Sequence, residues 1–485
     1  MRGILRASLW FCLLGLPQAE AAPAVDGDYE DWVNPSVTIM DDAVNDAPAT
    51  VDLTPGYWRF DQHGVWLQIN TATAANIAQA PRTLSLLIDY QGGGADYRGI
   101  SGVDQVLEYS PPQQLGRYGY RTLSLAKGQW IASEHRPGYL RTAPTVMSSR
   151  YELLARTPQL IEGARLRVML WDDTHQDVAD WVTLNSPLVS PSPERPSLSR
   201  ISDTDVRVMI WNAGGERTTR QPDEFAALVR AAAPDIALLD EVWPTQQTHF
   251  LPSPQHHSLG TSGGRQRGLI LSRWPLRSVK AFRHLAYPPG TQEMVQEQGS
   301  ESMRGDLRNL AEDGVAAHGM IAEVANRRLL LVALDLQCCG DGNDSVQDRL
   351  RSIQARVIAR AIEKAREQEG FDQLLVGGDF NLVGGLQPME ILRQSATPAL
   401  TIANAVQPDG LSNVTWIRDN NEFPPGRLDY FLFDRGFQQL SGAVFNPGVM
   451  TNRQRQTLKL KPDTTDRMSG HQPLIIDLKL TTIRD

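Results

Sequence analysis

A proline- and serine-rich segment divides this chain into two parts. Residues 186–202 read SPLVSPSPERPSLSRIS and contain four prolines and six serines. This composition disfavours both helix and strand and is typical of a semi-rigid linker. A chain of 485 residues is also too long for one ordinary core. We therefore expect one domain over residues 22–185, a linker over 186–202 and a second domain over 203–485.

The first 21 residues have the pattern of a secretory signal peptide. Arg2 and Arg6 lie at the start of the apolar run ILRASLWFCLLGLP, and the small residues Ala19 and Ala21 follow it. We expect cleavage before Ala22 and a secreted or periplasmic protein. No later segment has about 20 consecutive apolar residues, so we expect no integral membrane segment. The sequence does not indicate an oligomeric state.

Short strand-like runs with turn residues between them fill the first domain. The clearest are YWRFDQHGVWLQIN, RTLSLLIDY, GVDQVLEY and GARLRVMLWDD, and long helical patterns are missing. This pattern predicts an all-β sandwich.

The opening of that domain resembles a known binding module. The stretch VDGDYEDW (Val25 to Trp32), followed by GVWLQI and LLIDY, is similar to family-9-like carbohydrate-binding modules. The resemblance implies either a polysaccharide partner or a scaffold for the second domain. Trp32, Trp58 and Trp66 are candidates to stack on sugars, although aromatic residues in a small sandwich more often belong to the core. The acidic run from Asp41 to Asp46 is either a Ca²⁺ loop or a solvated one.

The second domain alternates strands with a few helices. VRVMIWN reads as a strand, and PDEFAALVRAAA reads as a helix with Pro222 and two acids in its first turn. A longer helix is expected from about Ser345 to Glu369, opened by a Ser345–Asp348 capping pattern. Strands interleaved with few helices predict stacked sheets with helices outside them.

Polar residues end the apolar runs of this domain. Asp379 and Asn381 close LLVGGDFN, and in an extended strand residues two apart project from the same face. Any single polar strand end is explained equally well as a turn. Six such ends together predict a carboxylate-rich pocket with one histidine, whose oxygen atoms suit Mg²⁺, Mn²⁺ or Ca²⁺ rather than Zn²⁺. The residues are Asn212, Glu241, Asp335, Asp379 with Asn381, Asp429 and His471.

These motifs occur in the order of a known superfamily. VMIWN, PDIALLDE, GLILSRWPL, GGDFN, RLDYFLF and SGHQPLI resemble the endonuclease/exonuclease/phosphatase superfamily over about residues 205–482. That group includes DNase I-like nucleases, secreted sphingomyelinases and inositol-phosphate phosphatases. The resemblance implies a DNase I-like four-layer sandwich, with two packed mixed sheets flanked by helices. It also implies metal-dependent hydrolysis of a phosphodiester in nucleic acid, a phospholipid head group or a smaller molecule.

The resemblance assigns roles by position. Glu241 would bind the metal, Mg²⁺ or alternatively Mn²⁺ or Ca²⁺, and Asn212 beside it would contact the metal or the phosphate. Asp379 would deprotonate the attacking water and Asn381 would orient the phosphate. His471 would stabilise the transition state or move a proton, and its catalytic partner Asp429 would fix its tautomer.

Two positions depart from the superfamily pattern. Asp335 stands where a histidine is usual, and Gly470 replaces the aspartate of the usual Asp-His pair. An aspartate with an ordinary pKa of about 4 is a poor acid at neutral pH. One interpretation is that Asp335 takes over a catalytic or metal-binding role in an active site. The alternative is a carbohydrate- or phosphate-binding protein with a catalytically lapsed domain.

Charge slightly favours a small substrate over duplex DNA. Loss of Arg2, Arg6 and Glu20 with the signal peptide changes the formal net charge from −9 to −10, whereas proteins that bind long nucleic acid are usually basic. Local basic residues matter more than the total. The candidates to bind phosphate are Arg265, Arg267, Arg304 and Arg308, with solvated surface arginines as the alternative. The last two lie in a polar segment, about 283–317, expected to be a long loop.

Cys338 and Cys339 are the cysteines that remain after cleavage, and they are adjacent. Adjacent cysteines match neither a metal site nor a CxxC motif. They form either a strained vicinal disulfide in an oxidising compartment or two thiols.

Overall fold

The structure is a computed structural model. It describes residues 22–32, 37–43, 45–77, 82–90, 93–110, 119–133, 140–191, 193–215, 220–242, 256–305, 307–340, 342–418 and 423–481. The predicted signal peptide, 1–21, lies outside the described residues.

Strands make up the N-terminal part, as expected. They are β1 (Thr38–Met40), β2 (Leu53–Asp61), β3 (Gly64–Ala75), β4 (Thr83–Asp89), β5 (Ala95–Tyr97), β6 (Ile100–Val103), β7 (Gln105–Tyr109), β8 (Tyr120–Ala126), β9 (Gln129–Ser133), β10 (Leu140–Ala143), β11 (Ser148–Ala155), β12 (Arg165–Trp171), β13 (Gln176–Val178) and β14 (Val182–Thr183). One sheet has the order β1-β2-β3-β11-β10, and the other has the order β13-β12-β4-β7-β8-β9 with β14 beside β12. A two-stranded ribbon, β5-β6, completes the unit, which we call the sandwich.

The three tryptophans considered as sugar platforms are buried in the sandwich. Trp32, Trp58 and Trp66 are 4%, 7% and 0% exposed. The Trp66 indole donates to Asp61 Oδ1 at 3.0 Å, and the Trp32 indole donates to Glu152 Oε1 at 2.7 Å. None of the three therefore offers a free ring face to a sugar, and the polysaccharide partner stays a prediction.

The C-terminal part has twelve further strands in two sheets within the described residues. They are β15 (Val206–Asn212), β16 (Ile236–Asp240), β17 (His256–Leu259), β18 (Leu269–Ser272), β19 (Leu276–Ser278), β20 (Ala317–Val324), β21 (Arg327–Asp335), β22 (Gln373–Asp379), β23 (Thr401–Ile402), β24 (Asp429–Phe433), β25 (Phe437–Val444) and β26 (Leu474–Leu480). Sheet I has the order β17-β18-β16-β15-β26-β25 and sheet II has the order β19-β20-β21-β22-β24-β23. Both sheets are mixed, because β15 pairs parallel with β16 and β21 pairs parallel with β22 while the other pairs are antiparallel.

Helices cover the outer faces of these sheets. The α-helices are Pro222–Ala232, Thr291–Gln298, Glu301–Gly305, Leu307–Asp313, Val346–Gln368, Gln387–Arg393, Asn452–Leu458 and Thr464–Met468. Short 3-10 helices lie at Glu30–Trp32, Gly264–Gln266, Lys280–Phe282 and Pro447–Val449. The predicted long helix starts where its cap indicated, since the Ser345 side chain accepts from the Asp348 backbone N–H at 3.1 Å. The expected long loop over 283–317 was wrong in part, because three of these short helices occupy it.

Strand β15 shows how the layers pack. Its side chains alternate between faces, as the twofold period of a strand requires. Val208 and Ile210 pack between the two sheets, whereas Met209 and Trp211 pack toward the helix Pro222–Ala232. The helix Val346–Gln368 packs in the same way on the outer face of sheet II. The result is the predicted four-layer order of helix, sheet, sheet and helix, with the strands buried on both faces and therefore continuously apolar.

Two glycines of LLVGGDFN allow the sheets to meet closely. A Cβ on Gly377 would lie 2.8 Å from Ile210 Cγ1 of the opposite sheet, and a Cβ on Gly378 would lie 1.8 Å from the backbone oxygen of Leu334. Gly378 also has a φ of 148°, which disfavours any other residue. Gly377 thus lets β22 pack closely on β15 of the other sheet, whereas Gly378 allows close approach to the neighbouring strand β21.

The sandwich is docked on the four-layer domain through backbone and side-chain contacts. The Val25 N–H donates to the Leu411 carbonyl at 2.9 Å, and Arg141 binds both carboxylate oxygens of Asp409 at 3.2 and 2.9 Å. The Thr145 hydroxyl donates to the Arg427 carbonyl at 3.0 Å. The sandwich therefore lies against the segment that leads into β24.

The proline- and serine-rich segment is held at both ends. The Leu188 N–H donates to the Phe60 carbonyl at 3.0 Å, and the Ile201 N–H donates to Asp477 Oδ2 at 3.0 Å. The domain limits at 185 and 203 stay predictions.

Among the described residues, no helix combines the length and the apolar composition that crossing a membrane requires.

Candidate active site

Strand register aligns three aspartates at the edge of sheet II. Asp379 lies opposite Asp335 on the parallel neighbour β21 and opposite Asp429 on the antiparallel neighbour β24. All three are at most 2% exposed. Because the strands are fixed by their hydrogen bonds, the three carboxyl groups are brought together by register rather than by loop conformation.

Sheet I supplies the opposite side of the site. Asn212 lies at the end of β15 opposite Asp240 on β16, and Glu241 follows directly. The Asn212 Nδ2 donates to Glu241 Oε1 at 3.2 Å and to Asp379 Oδ2 at 3.1 Å. The Asp379 backbone N–H donates to Asp240 Oδ2 at 3.0 Å. Asn212 thus joins the acids of the two sheets, and its Oδ1 accepts from the Gly214 N–H.

His471 stands between two carboxylates. Its Nδ1 lies 2.9 Å from Asp429 Oδ2, and its Nε2 lies 3.6 Å from Asp379 Oδ2. The Thr415 hydroxyl donates to the same Asp429 oxygen at 2.7 Å and fixes that carboxylate. The Trp211 indole donates to the His471 carbonyl at 3.0 Å. The arrangement holds the imidazole with Nδ1 toward Asp429 and Nε2 toward the reacting side.

Two site residues have strained backbone. Glu241 has a φ of 48° and Asn381 has a φ of 49°, a region that costs a residue with a Cβ about 1 kcal/mol or more. The Asn381 N–H donates to Asp379 Oδ1 at 2.9 Å, and its Nδ2 donates to the Leu336 carbonyl at 2.9 Å. Such strain concentrates at functional sites, where surrounding contacts hold it.

Burial sets the protonation of the acids. Removal from water raises the pKa of Asp379 to about 7, against the opposing effects of His471 and of hydrogen bonds from Asn381 and Asn212. Burial also raises the pKa values of Asp240 and Asp335 well above the ordinary range, and the neighbouring Asp379 carboxylate adds to both shifts. A carboxyl group with a pKa of about 7 suits a general base at neutral pH.

The surroundings of His471 favour its charged form. Burial lowers the pKa of His471, but the Asp429 and Asp379 carboxylates outweigh it and raise the pKa to about 10. His471 is therefore an imidazolium at neutral pH, with a proton on Nε2 available to a substrate.

The residues present fit a divalent cation. Within the described part of the chain, no hydrogen bond of ordinary geometry reaches either carboxylate oxygen of Asp335, whose polar neighbour is Gln266, and none reaches Asp240 Oδ1. Buried carboxylates without partners are costly, and a bound cation removes that cost. Glu241, Asp335 and Asp379 line one cavity, and their oxygen atoms suit Mg²⁺, Mn²⁺ or Ca²⁺.

Comparison with protein families gives one match. The pattern described as the Endonuclease/Exonuclease/phosphatase family matches residues 209–451, which is half of the chain. The chain belongs to this family. Its general chemistry is therefore that of a metal-dependent phosphoester hydrolase. Comparison with curated protein sequences gave no match.

Several solved structures are similar to part of the chain. The beta toxin of Staphylococcus aureus is 15% identical, with a TM-score of 0.36, over 56% of this chain and 99% of that one; a mutant of that toxin contains bound magnesium ions. A mannosyl-6-phosphatase from Bacteroides thetaiotaomicron gives the same four values. Sphingomyelinase C from Streptomyces griseocarneus is 15% identical, with a TM-score of 0.34, over 56% of this chain and 98% of that one.

The four candidate arginines are not part of the cavity lining that the structure describes. Arg265 and Arg304 are exposed, and Arg304 donates to the Gly299 carbonyl at 2.9 Å. Arg267 donates to the Gly264 carbonyl at 2.5 Å. Arg308 lies in the helix Leu307–Asp313, and its side chain is outside the described residues. Their role in phosphate binding stays a prediction.

Cys338 and Cys339 line the cavity near the acids. Both are free thiols in the structure, with their Sγ atoms 2.6 Å apart. The hydrogen bond with Cys339 raises the pKa of the exposed Cys338 thiol.

Sequence reasoning missed Asp240 and Thr415. Asp240 is fully buried and directly precedes Glu241 in IALLDE, so the motif contained it, but the choice between neighbouring acids depends on which face of β16 each occupies. Thr415 lies in an irregular segment, where no periodic pattern marks it.

Replacement of Asp335 by histidine, the residue usual in this family, tests whether this departure matters. Asp335→His replaces a buried carboxyl group beside Asp379 with an imidazole, so we expect divalent-cation affinity to weaken by about tenfold or more. Calorimetric titration with Mg²⁺ and Mn²⁺ measures this directly, and Asp372→Asn, at the exposed opposite end of the neighbouring strand, is the control. Unchanged affinity and an unchanged rate of phosphodiester hydrolysis would rule out a role for Asp335.

Proposed function

We propose that this protein is a secreted or periplasmic divalent-metal-dependent phosphodiesterase. The observation that carries the proposal is the series Asp429, His471 and Asp379, in contact with one another at the edge of a carboxylate-lined cavity. Family membership supports the general reaction. The site residues would provide the base, the acid and the cation ligands that this reaction needs. The predicted signal peptide supports secretion.

Asp379 is the base in this proposal. Its Oδ1 is held by the Asn381 N–H and its Oδ2 by the Asn212 amide, so the carboxylate has a fixed orientation. Its pKa of about 7 allows it to accept a proton from the attacking water at neutral pH. The water then attacks phosphorus in line with the departing oxygen.

His471 stabilises the negative charge that develops on the phosphate during the reaction in this proposal. Asp429 accepts from Nδ1, which leaves the Nε2 proton directed at the side of Asp379. The imidazolium stabilises the negative charge on the phosphoryl oxygens and supplies a proton to the leaving group. Glu241, with Asp240 and Asp335 nearby, would hold the metal. When bound, the metal supplies Lewis-acid stabilisation of phosphate charge.

Metal removal tests this function. With bis(p-nitrophenyl) phosphate as substrate, we expect hydrolysis in the presence of Mg²⁺, Mn²⁺ or Ca²⁺ and at least a hundredfold loss with EDTA, restored by added metal. Release of p-nitrophenolate is the measurement. Activity that survives EDTA would contradict the metal-dependent mechanism.

A second function is favoured by the departures at Asp335 and Gly470. In this alternative the protein binds phosphate or carbohydrate, and its hydrolase domain has lapsed. Cation binding by calorimetry, together with no turnover of nucleic acid, phospholipid or small phosphodiester under any of the three metals, would support the alternative.

A further inference from the structure

The cavity that contains the catalytic side chains is larger than they require. Its volume is about 420 Å³. Apart from the polar groups described above, its lining is largely apolar and is formed by side chains that take no part in the proposed chemistry. These residues are Val383, Trp416, Phe423, Pro424 and Leu428, with Thr145 from the sandwich. The apolar side of the cavity is therefore available to part of a substrate other than the phosphate.

Trp416 is fixed beside His471 by its backbone. Its N–H donates to the Gly426 carbonyl at 2.9 Å, and the Gly426 N–H donates back to the Trp416 carbonyl at 3.1 Å. The next residue, Ile417, donates to the Gly470 carbonyl at 2.9 Å, and a β-bridge joins Trp416 to His471. The half-buried indole is thus held at a defined position relative to the catalytic imidazole.

Gly470 has no side chain, and the Trp416 indole occupies the space beside it. A Cβ at position 470 would lie 2.9 Å from Trp416 Nε1 and 3.4 Å from its Cδ1. Gly470 does not have a positive φ, so its backbone does not require glycine. The absence of a side chain at 470 therefore allows the Trp416 indole to occupy this position.

The sandwich also contacts the segment that forms the apolar side of the cavity. A Cβ on Gly426 would lie 2.1 Å from Thr145 Cγ2, and the Thr145 hydroxyl donates to the Arg427 carbonyl. The Tyr109 hydroxyl reaches the Pro425 carbonyl at 3.5 Å. The sandwich therefore contacts the segment that carries Phe423 and Pro424 on the side away from the catalytic groups.

Charge limits what this side of the cavity accepts. In the part of the lining that the structure describes, the acids are Glu241, Asp335 and Asp379, and the basic residue is His471, with no lysine or arginine. Because His471 faces the reacting phosphate, a substrate group with further phosphates would meet carboxylates without a lysine or arginine to balance its charge. An uncharged group meets no such penalty.

We propose that Trp416 and its apolar neighbours form a subsite for an uncharged apolar group, of about the size of an aromatic ring, on the phosphodiester substrate. The proposal deepens the proposed function and rests on it for the position of the phosphate. Trp416 is then a specificity-determining residue: its ring packs on that group and does not take part in the chemistry.

Two phosphodiester ligands test the subsite by binding alone, with every titration carried out in an Asp379→Asn background so that neither ester is hydrolysed. Diphenyl phosphate and diethyl phosphate carry the same charge and the same phosphate, and differ in the size and aromatic character of their ester groups. In calorimetric titrations with Mg²⁺ present, we expect the full-length protein to bind diphenyl phosphate at least about tenfold more tightly. In Trp416→Ala this preference should fall to about twofold or less. Gly470→Ala, which displaces the indole, should reduce it in the same direction.

Trp130→Ala is the matched control, because Trp130 lies on β9 of the sandwich and does not line the cavity. It should keep the full preference. Equal affinity of the full-length protein for the two esters, or a preference that survives Trp416→Ala, would overturn the proposal. Because the titrations do not depend on turnover, a protein that shows the preference but hydrolyses no ester would refute the proposed function while supporting the subsite.

Discussion

Asp379→Asn is expected to lower kcat/KM for bis(p-nitrophenyl) phosphate by about a thousandfold or more, since a positioned general base contributes about 10²–10⁴-fold. Asparagine has the size of aspartate but cannot accept the proton of the attacking water. The substitution also removes the anion that lies 3.6 Å from His471 Nε2. Initial rates with saturating metal measure the effect.

The same variant should fold at least as well as the natural protein in the absence of metal. Burial raises the pKa of Asp379 above its ordinary value, so the ionised carboxylate destabilises the folded state as the pH rises toward 7. Asparagine removes that cost, and the temperature of thermal unfolding at pH 7 should not fall. Asp372→Asn, at the exposed start of the same strand region, is the matched control and should keep normal rates. More than a tenth of the original activity in Asp379→Asn would show that another group is the base.

His471→Gln is expected to reduce kcat/KM by about 10²–10⁴-fold, because it removes both the cation and the transferable proton. Asp429→Asn should cause a smaller loss, since the imidazole remains while its orientation toward Asp379 is weakened. The two single variants and the double variant, compared as kcat/KM, separate these effects. If the two residues act as one unit, the double variant should lose little more than His471→Gln alone.

His318→Gln supplies the control for that comparison. His318 is buried on β20, lies 2.9 Å from the Ser258 hydroxyl and does not line the cavity. Burial lowers its pKa to about 4, so it is neutral under the assay conditions. A loss of activity in His318→Gln as large as in His471→Gln would mean that buried histidines contribute through folding and not through catalysis.

The acids of the site were predictable because each one follows a regular element. The apolar runs before Asn212, Asp335 and Asp379 are long enough to be recognised as strands. Parallel pairing places Asp335 beside Asp379 in sheet II, and packing of the two sheets brings Asn212 to Asp379. The sequence alone does not show why glycine is needed at positions 377 and 378. Gly377 approaches Ile210 of the opposite sheet, and Gly378 approaches the Leu334 backbone on the neighbouring strand β21.

The apolar side of the cavity was not predictable in the same way. Trp416 and Thr415 belong to a segment without helix or strand periodicity, and their positions depend on hydrogen bonds to Gly426 and to residues near His471. The contact of Thr145 with Gly426 joins residues from different parts of the chain, and no local pattern encodes such a contact. The composition of the linker indicated two separate units, whereas the docking of one on the other depends on loops.

The contact of Val25 with Leu411 joins residues that are far apart in the sequence, so it forms only after residue 411 has been made. The sandwich has its own core and can collapse earlier, during synthesis. The apolar side of the cavity that Thr145 contacts needs residues from both units. A nascent chain that contains only a finished sandwich therefore has no substrate cavity.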